Sequence, residues 1–338
     1  MAHPDFPGAP GYLNTASMGL PPRGAAAAVK SAVDEWAAGR AQAPDYDEHV
    51  ERSRSAWARL HRVDPATVAI GPQVSYFAGL VAAALPAGVE VVAYEGEFTS
   101  LIFPFLARDD LQVRLVPLGE LPGAIGPRTA LVAVSAVQSV DGRLADLEAI
   151  EVAAAASEAL TLIDVTQASG WLPVDASRFD FVAGGAYKWL LSPRGTAFMA
   201  VRPQRIDSVR PLAAGWYAGE DVWTSIYGAP LRLASDSRRF DMSPAWLAWV
   251  GTAAGLEYVE GAGVDAIHAH DVRLANALRS GLGLPPGDTA IVAVDRPGAD
   301  QAIRRTGMVG AVRAGSLRVG FHLYNDDDDV DGLLRALG

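Results

Sequence analysis

Four residues carry groups suited to covalent, acid–base or anion-binding chemistry, and each stands beside or within a short apolar run. Lys188 lies in Gly184-Gly185-Ala186-Tyr187-Lys188-Trp189, between two aromatic residues and ahead of Ser192-Pro193-Arg194-Gly195, which cannot continue a helix. A lysine in such company loses water, its pKa falls, and its amine becomes a nucleophile; a snorkelling lysine with its head in water is the other reading. Asp164 closes Leu160-Thr161-Leu162-Ile163-Asp164, with Gln167 three residues on. It is either a counter-ion for a cationic ligand atom or a cap, because a buried carboxylate needs a partner. Gly71-Pro72-Gln73-Val74-Ser75 turns into an apolar helix, and such a turn offers free N–H groups to a phosphate or is an ordinary helix start. Arg318, in Ser316-Leu317-Arg318-Val319-Gly320, either grips a carboxylate or phosphate through its fork or faces outward on an alternating strand.

The elements that must position these groups are legible from hydrophobic periodicity. Residues 24–60 read as helical, "ATVAIGP" as a short buried strand, and "VSYFAGLVAAALP" as an apolar helix closed by Pro86. "EVVAYEG", "TALVAVSAV", "LTLIDVTQ", "DFVAGGAY" and "GTAFMAV" read as strands, with helical segments such as "LADLEAIEVAAAASEAL" between them. That alternation predicts an α/β fold with a mainly parallel sheet covered on both faces. In such sheets ligands bind beyond the carboxyl ends of the strands. From about residue 229 helices dominate, followed by the short strands "AIVAVD", "VGAVRAG" and "SLRVGFHLY" and a closing helix from "DDDD". The expected organisation is an N-terminal segment, 1–23, packing with a small domain; a large domain, 24–228; and a small α+β domain, 229–338.

Composition narrows the function. The chain has 338 residues, half of them hydrophobic, and no cysteine, which excludes disulfides, thiolate metal sites and a cysteine nucleophile. A formal net charge of −11 argues against nucleic acid and anionic membranes as partners. No uninterrupted apolar stretch is long enough to cross a bilayer and the N-terminus has no leader pattern, so a cytoplasmic location is expected. The acids at 326–329 read as the first turn of the last helix rather than a calcium loop, and His268 and His270 are spaced for different helix faces, so no metal is expected.

The order of the reactive groups is more telling than any one of them. A phosphate cup, an acid at a strand end, a lysine 24 residues after it and a late arginine fit one chemistry, that of pyridoxal phosphate. The chain resembles the class V aminotransferase family of fold-type I pyridoxal phosphate enzymes, which includes cysteine desulfurases, selenocysteine lyases, kynureninases and isopenicillin epimerase-like proteins. The resemblance rests on "YLNTASMGLPPR", "SAVQSVDG", "LIDVTQASGWLPVD", "GGAYKWLLSPRGTAF" and "SLRVGFHLYNDDDDVDGLL".

The resemblance implies a seven-stranded sheet, pyridoxal 5'-phosphate as cofactor and a homodimer with sites at the subunit interface. It implies Lys188 as the Schiff-base lysine and Asp164 as partner of the pyridine nitrogen. Gln167 and Gln138 are then expected near the phenolic oxygen, and Gln73, Val74 and Ser75 around the phosphate. Phe98 is expected to stack on the ring. Tyr187, at a position where desulfurases carry histidine, resembles the phosphate-binding tyrosine of kynureninase. Leu101, however, stands where that enzyme is expected to have a polar residue. Trp216, in Gly215-Trp216-Tyr217, is expected to reach the neighbouring subunit's phosphate. Asn14 and Arg318 are expected at the substrate, Arg318 on the α-carboxylate. The implied activity is that of a lyase or aminotransferase on an amino acid. An epimerase or racemase, or a cofactor-binding protein without turnover, is the alternative. Absence of cysteine removes a desulfurase that takes sulfur onto its own thiol.

Overall fold

The computed structural model of the chain describes residues 3–338. Its large sheet contains β1 (Val68–Gly71), β2 (Glu90–Tyr94), β3 (Gln112–Val116), β4 (Thr129–Ser135), β5 (Leu160–Asp164), β6 (Phe181–Gly185) and β7 (Ala197–Val201), in the order β1-β7-β6-β5-β4-β2-β3. β3, β2, β4, β5 and β6 are mutually parallel, as the alternation predicts. β7 is antiparallel to both β6 and β1. The reversal follows from the linker: residues 186–196 hold no helix, and a parallel return needs a longer, usually helical, crossover. β1 thus runs the same way as β4, β5 and β6, so Gly71, Ser135, Asp164 and Gly185 all end at one edge.

β3 is the strand that hydrophobic patterning does not single out. It pairs only with β2 at the border of the sheet, and Gln112, Arg114 and Leu115 are exposed there. Such a polar edge discourages pairing with another chain.

The described residues also form ten α-helices: α1 (Arg23–Ala37), α2 (Asp47–Leu60), α3 (Val74–Ala84), α4 (Thr99–Leu106), α5 (Leu121–Ala124), α6 (Leu147–Ser157), α7 (Trp246–Ala262), α8 (Val264–Gly281), α9 (Ala299–Arg305) and α10 (Asp327–Leu337). The helical stretch expected over 24–60 divides where Gly39 takes φ +70° after α1. Strand alternation sorts the core into two faces. Ile70, Val92, Val134 and Ile163 meet residues of α2, α6 and α7, whereas Ala69, Val91, Leu131 and Met199 meet α3 and α4. Each larger apolar side chain so buried contributes about 1.5–3 kcal/mol.

A second sheet, β8 (Ile291–Val294), β10 (Ser316–Gly320) and β9 (Ala311–Arg313) in that order, is antiparallel and shares a core with α8, α9 and α10. The N-terminal segment joins it: Leu13 N donates to Val309 O and Gly320 N to Leu13 O, both at 2.9 Å. Asp326 caps α10, accepting from Asp329 N. The division expected at residue 229 separates the two sheets. α7, beyond that point in the chain, packs on α1 and α2 and sets Trp249 edge-on to Phe198 of β7, ring centroids 5.3 Å apart.

Candidate active site

The shared strand edge opens on a cavity whose lining includes Gln73, Phe98, Asp164, Gln167, Tyr187 and Lys188. Lys188 follows β6 in a tight turn closed by Ala186 N to Thr196 O (3.0 Å) and Leu191 N to Lys188 O (3.2 Å). Its neighbours' peptides are clamped by the N-terminal segment and by the turn after β10: Gly19 N donates to Tyr187 O (3.0 Å), and His322 Nε2 lies 2.9 Å from Trp189 O. A side chain at Gly19 would run into the carbonyl of Lys188, so only glycine lets the two backbones touch. The lysine is 4% exposed, with Nζ 5.3 Å from the centre of the Phe98 ring and 5.5 Å from that of Tyr187. Burial pulls its pKa down to about 7; Asp164 opposes the fall, and the charges of Arg318, Arg313 and Arg194 deepen it.

Asp164 ends β5, flanked by Ser135 of β4 and Ala183 of β6. It is buried, and its Oδ1 accepts from Thr166 N at 2.7 Å. Burial raises its pKa, while the hydrogen bonds from Thr166 and the charge of Lys188 restrain the rise.

One end of the cavity is built for an anion. Gln73 and Val74 line it at the start of α3, a helix with no side-chain cap and no acid in its first turn. The leading N–H groups and the positive end of the dipole therefore face the cavity without an anionic partner. Arg194 lines the same end with its guanidinium 5.1 Å from the centre of the Tyr187 ring, and has no carboxylate at ion-pair distance among the described residues. Ser75 belongs to this helix turn but is not in the lining; Ser100 and Thr196 are, the Thr196 hydroxyl being bonded to that of Thr252 (2.9 Å). Ser75 therefore contributes to this end through its place in the first turn of α3.

Gln167 lines the cavity with its amide fully engaged. Oε1 accepts from Trp189 Nε1 (2.7 Å), and Nε2 donates to Ala16 O (2.9 Å) and Ser139 Oγ (3.0 Å). A ligand oxygen that accepts from Gln167 Nε2 must displace Ala16 O or Ser139 Oγ. Gln138 is a correction: it is not in the lining, and its Nε2 is turned to Ser135 O (3.2 Å) and Glu97 Oε2 (3.4 Å). The tight loop made by Gly142 N to Gln138 O and Gln138 N to Arg143 O places the next residue, Ser139, in the wall instead.

Glu97 is a buried acid that sequence reasoning missed. It accepts from Phe98 N (2.8 Å), Ser135 N (2.8 Å) and Ser135 Oγ (2.5 Å), which ties the start of α4 to the end of β4 and fixes the backbone beneath Phe98. Burial raises its pKa against the hydrogen bonds of Ser135, and the charge of Asp164 adds to the rise. The available signal was an acid three residues past a strand end. Phe98 itself is 43% exposed, its ring covering the lysine at the mouth.

Arg318 is 1% exposed on β10. Nη1 donates to the carbonyl and hydroxyl oxygens of Ser139, and Nη2 to Ser17 Oγ (2.7 Å). No carboxylate lies at ion-pair distance from it among the described residues. Burial, and then the charge of Arg313, lower its pKa to about 10, so it remains a cation at neutral pH. Asn14 bridges to Gly320, two residues beyond Arg318, and its Oδ1 is buried without a hydrogen-bond partner. Trp216 is not part of its own chain's cavity lining. It sits in a 3-10 turn with its ring centre 5.3 Å from that of Tyr217 and 5.2 Å from that of Trp223. His268 stacks on Trp171 and His270 hydrogen-bonds Asp271, and no group of three metal-ligating side chains occurs among the described residues. No described helix is long and apolar enough to cross a membrane.

Comparison with known proteins gives a consistent family. Residues 108–303 match the profile described as Aminotransferase class-V. An uncharacterized aminotransferase, YcbU, of Bacillus subtilis is 29% identical over 309 residues, covering 84% of this chain and 81% of that one. Isopenicillin N epimerase of Streptomyces clavuligerus is 28% identical over 336 residues, covering 85% and 83%. Among solved structures, the cystine C-S lyase C-DES in complex with cysteine persulfide superposes with a TM-score of 0.87 at 22% identity, over 98% of this chain and 97% of that one. A C-DES mutant with glycine covalently linked to its PLP cofactor gives 0.88, also at 22% identity and over 98% of both chains. At that identity the likeness is one of fold.

Proposed function

The chain belongs to the class-V aminotransferase family, and from that premise we propose that it is a pyridoxal-phosphate-dependent enzyme acting at the Cα of an amino acid, as a lyase or an aminotransferase. The observation that carries the amino-acid substrate is Arg318, a buried cation with no acidic partner, beside a cavity that also holds the buried amine of Lys188.

The residues fit the cofactor. The uncapped start of α3 and Arg194 suit its phosphate, Asp164 its ring nitrogen, and Lys188 its aldehyde. When bound, the protonated ring supplies a sink for the electron pair of a broken Cα bond. Asp164 holds the proton on the ring nitrogen. Lys188, with its pKa near 7, is half neutral at physiological pH and can take or return a proton at Cα. Phe98 keeps water from one face, and Arg318 orients the amino acid by its α-carboxylate. Ser139 accepts from Arg318 and Gln167, so its own proton remains to be donated toward the cofactor's phenolic oxygen.

The test is a screen of amino acids with the purified holoprotein for release of keto acid, ammonia and sulfide, and for inversion at Cα. Keto acid formation with amino transfer marks the aminotransferase, and sulfide or ammonia release the lyase. If no amino acid alters the absorbance of the bound cofactor, the proposal fails. Asp164→Asn is expected to retain cofactor but lose activity tenfold or more, since a neutral amide does not stabilise a cationic ring. Near-normal turnover in that variant would remove the role assigned to Asp164.

We also propose a two-fold dimer in which Trp216 reaches the partner's anion-binding end, as two-fold dimers are the commonest assemblies. The stretch after Trp216 supports this with exposed apolar side chains, Trp223 at 38%, Tyr227 at 91% and Leu231 at 77%. Light scattering at assay concentration should report a dimer; an active monomer would defeat the idea.

A further inference from the structure

Arg318, Arg313 and Arg194 all place positive charge near Lys188, and no described carboxylate pairs with any of them. Elsewhere in this acidic chain arginines commonly have such partners, as Arg52 has Glu257 and Arg59 has Glu260. On the reading above, the cofactor's phosphate answers Arg194 and the substrate's α-carboxylate answers Arg318. Arg313 is left over.

Its position is set by the fold. β9 and β10 are joined by Ala314 and Gly315, both at positive φ (+46° and +88°), the geometry of a tight two-residue hairpin. Arg313 pairs with Ser316, and Arg318 with Ala311. Cross-strand partners share a face, as do residues two apart on one strand, so Arg313 and Arg318 are diagonal neighbours on one face of the hairpin. Their side chains meet at a single oxygen: Arg313 Nη2 donates to Ser17 Oγ at 3.2 Å and Arg318 Nη2 at 2.7 Å. Two guanidinium groups bridged by one hydroxyl stand roughly 5–6 Å apart. Like charges at that spacing repel, and a neutral hydroxyl relieves little of it. A ligand with two carboxylates separated by a short chain relieves it fully.

We propose that the substrate is a short dicarboxylic amino acid, and that Arg313 binds its side-chain carboxylate while Arg318 binds the α-carboxylate. This rests on the amino-acid reading of the site and adds the substrate's charge to it. Arg313 is exposed where Arg318 is buried, which suits a residue at the mouth that meets the outer end of the substrate.

The test uses near-isosteric pairs, L-aspartate with L-asparagine and L-glutamate with L-glutamine, titrated into the holoprotein by cofactor absorbance. At low salt the acid of at least one pair should bind about tenfold more tightly than its amide, and the preference should shrink as salt screens the contact. Arg313→Gln, with a melting temperature matched to the parent, should bring that ratio to about one. Equal binding of acid and amide by the parent, or an undiminished ratio in the variant, overturns the assignment of Arg313. Absence of any spectral response to all four compounds, while other amino acids respond, overturns the dicarboxylate proposal alone. No response to any amino acid takes the amino-acid reading down with it.

Discussion

Lys188→Ala is expected to fold and to bind pyridoxal phosphate only reversibly, with no covalent attachment and with activity reduced by at least about 10³. The residue is assigned two tasks, holding the cofactor and moving the Cα proton, and proton transfer alone is typically worth 10²–10⁴. The chain has only two lysines, Lys188 and the exposed Lys30 on α1, so borohydride reduction followed by peptide mapping has a clean answer. Cofactor recovered on Lys30 would show the assignment to be wrong. The pH dependence follows from burial. With a folded pKa of about 7, the nucleophilic neutral amine appears above pH 7. Capture of cofactor by the apoprotein should therefore rise between about pH 6 and 8 and then level off. An ordinary lysine, with a pKa near 10.4, would be neutral only to about one part in 10³ at pH 7, and its rate would climb until pH 10. The same shift affects stability. Between pH 7 and the ordinary lysine pKa the unfolded chain holds more protons than the folded one, so this group's cost to stability declines as pH rises through that window.

Much of this site was readable because its main groups sit at strand ends. "LTLID" and "DFVAGG" announce buried parallel strands, and the topology then forces Asp164 and the turn bearing Lys188 to one edge of the sheet. Gln138 and Ser139 were not separable in this way. Past the end of β4 the chain enters a tight loop closed by a bridge between Val137 and Leu144, and the loop's geometry decides which of two adjacent polar residues faces inward. Glu97 was missed for a related reason. An acid in a loop reads as solvated, and only packing against the end of β4 reveals four donors converging on it. β3 escaped because an edge strand exposed along most of its length lacks the apolar run that marks its neighbours. Arg313 reads only as one residue of the short strand "VGAVRAG"; its significance appears only when hairpin register sets it beside Arg318. Trp216 is a different case, since the site proposed for it belongs to another copy of the chain.

Arg318→Ala should leave the visible spectrum of the bound cofactor intact but weaken amino-acid binding by about 10²–10³. Truncating one partner of a buried charge pair costs roughly 2–5 kcal/mol, and each 1.4 kcal/mol is tenfold. Solvent cannot compensate, because the guanidinium is 1% exposed and its protein contacts are neutral oxygens of Ser139 and Ser17. The loss has a structural share, since those contacts also anchor the cavity wall at Ser139. Two comparisons separate the shares. Amines that lack the α-carboxylate should be nearly unaffected by the substitution, whereas a collapsed wall would weaken them as well. Arg318→Lys keeps the charge but loses the fork that binds both carboxylate oxygens, and should fall between the parent and the alanine variant. If Arg318→Ala binds amino acids as well as the parent does, the arginine serves only to brace β10 against the loop at Ser139. The buried cation would then no longer argue for an amino-acid substrate, and the dicarboxylate specificity built upon it would fall too.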